Sequence, residues 1–196
     1  MKILKAVLIM LMIGTSVVSI GCGNGNFRFS ADDVQKESGD NDLVWRNVLM
    51  PRDGNMKLYM ELPFEFDDCR KFEDLPEIKD LETYMHKNND SLVMINHGVI
   101  ISPNKKVKFV MDTFADLVGT VREKELVRSE KRSINGREVT YLECKGKAEK
   151  DNRECTMEYV GVQVGNDYWM ISYYYYTDDD AMAEIAKRSI ESIRIQ

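Results

Sequence analysis

From Trp45 onward the apolar positions recur in short alternating runs broken by compact turns, a pattern of strands. Residues 56–62 (MKLYMEL) read as a strand closed by Pro63, which has no amide hydrogen for a ladder. Residues 64–79, rich in Asp and Glu, read as a loop. Residues 81–87 and 92–101 read as two strands joined by Asn88-Asn89-Asp90. The period then changes. Val107, Val110, Met111, Phe114, Leu117, Val118 and Val121 recur at helical spacing, which predicts a helix from about Pro103 to Gly119. A strand over 126–134 meets Asn135-Gly136, a strong hairpin signal. Strands over 137–147, 153–164 and 168–177 follow. Asp178-Asp179-Asp180 then caps a last helix whose buried stripe is Met182, Ile185, Ala186, Ser189, Ile190 and Ile193. Short hairpin links predict an α+β fold: one antiparallel β-sheet of about six to eight strands covered by two main helices.

The N-terminus follows a different rule. Residues 1–21 carry Lys2 and Lys5, then a nearly unbroken apolar stretch from Ala6 to Ile20. Fifteen helical residues reach about 22 Å, short of the ~30 Å hydrocarbon core, so the stretch reads as an export signal rather than a permanent span. It ends at Ser19-Ile20-Gly21-Cys22, which resembles a bacterial lipobox with Ser where Leu is usual. Cys22 is therefore the expected lipidation site, and a membrane contacted through that lipid is the expected partner. The competing expectation is plain secretion, because Ser-x-Gly also fits an ordinary cleavage site. Residues 22–43 are polar and Gly-containing and read as a flexible tether of about 25 Å reach. Residues 44–196 are then a single domain in the bacterial envelope, on the extracytoplasmic side.

Charge narrows the partner. The leader holds two of the 27 basic residues and none of the 33 acids, so the rest of the chain has a formal charge of −8. Such a balance does not attract a polyphosphate, and no nucleic-acid role is expected.

Export brings the cysteines into question. A hairpin centred between Glu149 and Lys150 sets Cys144 opposite Cys155, a candidate disulfide; the alternative is two buried free thiols. Cys69 is left as a packed thiol. Tyr173 to Tyr176 form an unusual run. In a strand, Tyr174 and Tyr176 share one face, either as core or as a candidate aromatic groove for a peptide or protein partner. His86 and His97, the only histidines, fall too far apart on paired strands to share a metal, and both read as surface or edge residues. The acids at 178–180 lack calcium-loop spacing, and no nucleophile turn of the G-x-S-x-G kind occurs. No metal, cofactor or catalytic residue is expected, and the chain is not read as an enzyme.

Several phrases in order, namely MKLYMELPF, Asn135-Gly136-Arg137-Glu138, Asp167-Tyr168-Trp169 and the terminal Arg188-Ser189-Ile190-Glu191-Ser192-Ile193, resemble the PsbP-like superfamily, which includes DcrB-type bacterial lipoproteins. The resemblance spans roughly residues 45–196. It implies an α/β/α sandwich used as a binding or assembly module without catalysis.

Overall fold

A computed structural model describes residues 43–51, 56–74, 78–101 and 121–196. Ten strands and one helix appear among them: β1 Arg46–Met50, β2 Leu58–Leu62, β3 Asp68–Lys71, β4 Ile78–Lys87, β5 Ser91–Ile100, β6 Val121–Ile134, β7 Arg137–Ala148, β8 Glu154–Val164, β9 Asp167–Tyr176, α1 Asp180–Ser192 and β10 Arg194–Ile195. Seven strands make an antiparallel sheet in the order β3-β4-β5-β9-β8-β7-β6, and three make a smaller one in the order β1-β2-β10.

The expectation of a single sheet under two main helices is overturned. Two sheets and one helix are present among the described residues. β2 buries Leu58, Met60 and Leu62 on one side and pairs with β1 and β10 rather than extending the large sheet. This small sheet shares with α1 the task of covering the large one. The helical pattern at 103–119 lies outside the described residues, as do the leader, Cys22 and the tether up to residue 42. No described helix is long and apolar enough to cross a membrane.

The alternation of β9 divides the large sheet into two faces. Trp169, Ile171, Tyr173 and Tyr175 point to an inner face, where they pack with Val93, Ile95, Val160, the buried stripe of α1 and the small sheet. Asp179 caps α1 by accepting from the Met182 amide at 3.0 Å. The other end of α1 is held by the Asn135-Gly136 turn, in which both residues have positive φ, 47° and 78°. Asn135 Nδ2 donates to the carbonyls of Glu191 (3.1 Å) and Ile193 (2.9 Å). One turn thus sets the β6–β7 register and satisfies carbonyls left open at the helix end.

Candidate functional site

The outer face of the large sheet gathers all four residues singled out in the folded region by sequence. Cys144, Cys155, Tyr174 and Tyr176 lie together there with Met157, Tyr159 and Met170. Their pairing differs from expectation. The β7–β8 hairpin is centred between Lys150 and Asp151, so Cys144 opposes Met157 and Cys155 opposes Gly146. A shift of two residues preserves the face but separates the pair. Both cysteines are buried thiols outside any disulfide, and Cys69 is exposed.

Burial pushes both the Cys144 and Cys155 thiols up from the usual range, so each stays protonated at neutral pH and is a poor nucleophile. Tyr174 donates a hydrogen bond to Cys155, which opposes part of that rise. Tyr176 is 1% exposed. Its hydroxyl donates to Asp151 Oδ2 at 2.5 Å, and Arg153 stacks on its ring at 3.6 Å. Tyr174 is half-buried, with its ring centroid 6.4 Å from that of Tyr176. Within this pair, Tyr174 is the ring that keeps accessible surface.

Two polar clusters on the inner face had no sequence signature. Glu158, buried on β8, accepts from Tyr141 at 2.6 Å and from Tyr175 at 2.5 Å. Arg132 lies 3.4 Å from the Tyr141 ring centroid. Burial first, and the Glu158 hydrogen bonds second, raise both phenols well above the ordinary tyrosine range. Here a buried carboxylate is solvated by phenols in place of water.

The second cluster corrects the surface assignment of His97, which is 3% exposed. Its Nε2 meets Asp167 Oδ1 at 3.0 Å, its ring lies 5.1 Å from Trp169, and Glu82 stands directly across the ladder. Glu82 is bound by Lys71 at 2.9 Å and by the Tyr84 hydroxyl. His86 is four ladder positions away, opposite Val93, stacked on Phe64 and paired with Asp67 at 2.7 Å. At ~3.3 Å per residue, four ladder positions set the two imidazoles too far apart to share one ion. No group of three His, Cys, Asp or Glu side chains among the described residues is arranged to hold a metal ion.

The architecture matches known structures. The solution structure of cyanobacterial PsbP (CyanoP) from Synechocystis sp. PCC 6803 superposes with a TM-score of 0.53 at 15% identity, over 83% of this chain and 99% of that one. The fold is PsbP-like. Weaker likenesses to this PsbP-like domain include LpqN, involved in cell envelope biogenesis of Mycobacterium tuberculosis (TM-score 0.44, 12% identity, 80% of this chain and 93% of that one). Another is the immunity protein TplEi of T6SS from Pseudomonas aeruginosa (0.42, 9%, 83% and 79%). Identities this low concern the fold alone. No family model matches the chain, and no curated protein matches it.

Proposed function

We propose that this chain is a lipid-anchored protein of the bacterial envelope whose PsbP-like domain binds or scaffolds another molecule without performing catalysis. The observation that carries the reading is the apolar leader ending at Ser19-Ile20-Gly21-Cys22, followed by a polar stretch with the composition of a tether. Two or more acyl chains on Cys22 give stable anchoring, which a single chain does not. The inner-face polar groups favour a scaffold over an active site. The Glu158 carboxylate is occupied by two phenols, and His97 is walled in by Trp169 and Asp167.

Metabolic labelling with a palmitate analogue tests the anchor. The wild-type chain takes up label and sediments with membranes, while Cys22→Ala does neither. Label retained in Cys22→Ala, or a mature N-terminus elsewhere, refutes it. Ser19 at the first lipobox position favours a second reading, in which the domain is a secreted or periplasmic ligand-binding protein. That reading gains support if the mature chain starts near Cys22 with an unmodified thiol.

A further inference from the structure

Cys144 and Cys155 face the same way from adjacent strands, two residues apart in register. The Cβ atoms of such diagonal neighbours stand roughly 7–8 Å apart or somewhat less. A disulfide needs about 3.5–4.5 Å. Two sulfurs bound to one metal ion, each at about 2.3 Å, span about twice the length of an S–S bond. The offset that is too wide for a bridge therefore suits a shared ion. Met157 supplies a third sulfur: it lies directly across from Cys144 and two residues along the same strand from Cys155. All three side chains are at most 1% exposed.

We propose that Cys144, Cys155 and Met157 form a binding site for one soft monovalent metal ion, Cu(I). Thiolate and thioether sulfur select soft ions. Cu(I) displaces both thiol protons: two S–H bonds break, two Cu–S bonds form, and the protons leave to solvent. Nothing is oxidised or reduced. Both cysteines then bind as thiolates and Met157 as a neutral thioether, which makes a three-coordinate all-sulfur site. Zn(II) with the same donors lacks the fourth ligand it normally takes. The Tyr174 hydroxyl donates to Cys155 and steadies the thiolate from outside the ligand set. Cys144 lies one strand in from β6, an edge strand with two bulges whose half-exposed Leu126 pairs with it.

The test uses the full chain carrying Cys22→Ser and Cys69→Ser, reduced and free of oxygen, titrated with Cu(I) against bicinchoninate. One ion per chain is expected, with about two protons released and a rise in melting temperature. Tyr174→Phe should weaken binding about tenfold, as loss of an outer hydrogen bond to a ligand does. Met157→Leu, which keeps volume and fold, should weaken it at least about tenfold by removing a soft donor. Cys144→Ala with Cys155→Ala should abolish both binding and the thermal shift. Failure of the folded parent to take copper from bicinchoninate overturns the proposal. So does binding that persists in the double alanine variant, or a Cys144–Cys155 disulfide in the protein isolated from its own cells.

Discussion

Val121 folds over Gly146 so closely that a β-carbon on the glycine would sit 2.5 Å from Val121 Cγ1 and 2.8 Å from the Arg122 carbonyl oxygen. The left-handed backbone of Glu123 (φ 51°) and the bulge between Arg122 and Glu125 bring the start of β6 across. The opposite edge repeats the device. A β-carbon on Gly98 would lie 2.6 Å from Ile78 Cγ2 and 3.2 Å from Leu81 Cδ1, beside the β4 bulge at Asp80 (φ 50°). Both bulged edges thus curl onto the outer face over a glycine.

Gly146→Ala is expected to cost about 1–3 kcal/mol, the range for overpacking a filled site. Gly98→Ala should cost less, because its close neighbours are side-chain atoms and no backbone atom lies nearer than 3.7 Å. Urea denaturation of the two variants checks the ranking, and equal losses would show that the Arg122 carbonyl yields as readily as a side chain.

The tyrosine run gives a second ranking. Tyr176→Ala removes a fully buried ring, a hydroxyl bond to Asp151 and the stack beneath Arg153, an expected loss of about 3 kcal/mol or more. Tyr174→Ala removes a half-buried ring and should cost about half as much, in proportion to apolar area. Thermal melts of both variants decide whether the run is core along its whole outer side. A Tyr174 variant that melts normally but loses a partner in crosslinking would make that ring a contact surface.

Much of this fold was legible because its links are local. The meander from β6 to β9 and the capped helix follow from alternation, Asn135-Gly136 and Asp179, and each appears near its expected place. The β7–β8 register was not legible. Its turn closes through Ala148 and Arg153, with Asn152 in a left-handed conformation (φ 61°), and nothing in the composition marks the centre of Ala148 to Arg153. The error was even, so the cysteines and tyrosines kept a common face while losing their expected partners. β3 was hidden because it is a short edge strand, Asp68-Cys69-Arg70-Lys71, without alternation. The burial of His97 depends on Glu82, Asp167 and Trp169, which arrive from other strands and leave no trace beside it in the chain.

Glu158 provides a coupling test. Glu158→Gln replaces an acceptor of two phenol protons by a group that accepts at one atom and donates at the other. An expected loss of about 1–3 kcal/mol follows from weakening charge-assisted bonds in a buried site. Tyr141→Phe should then cost less in the Glu158→Gln background than in the parent, with a coupling of about 0.5–3 kcal/mol for groups in one network. Strict additivity in a double-mutant cycle would mean that Tyr141 and Glu158 contribute independently despite their 2.6 Å contact.

The same phenols set the alkaline limit of the fold. Burial raises Tyr141, Tyr159, Tyr173 and Tyr175 above the ordinary tyrosine range, and Glu158 adds to the rise at Tyr141 and Tyr175. A group whose folded pKa exceeds its unfolded one holds its proton more firmly in the fold. Its contribution to stability is whole below the unfolded value, near pH 10, and is lost as pH climbs toward the folded value. Stability to urea should therefore be steady to about pH 10 and fall steeply beyond it, with several tyrosines acting in the same direction. Ultraviolet absorbance of tyrosinate, recorded with circular dichroism on the same samples, should show these rings ionising only as the sheet unfolds, in one cooperative step. Gradual ionisation across the ordinary range in a chain that remains folded would mean that water reaches the rings and that the two faces of the sheet are more open than their packing indicates.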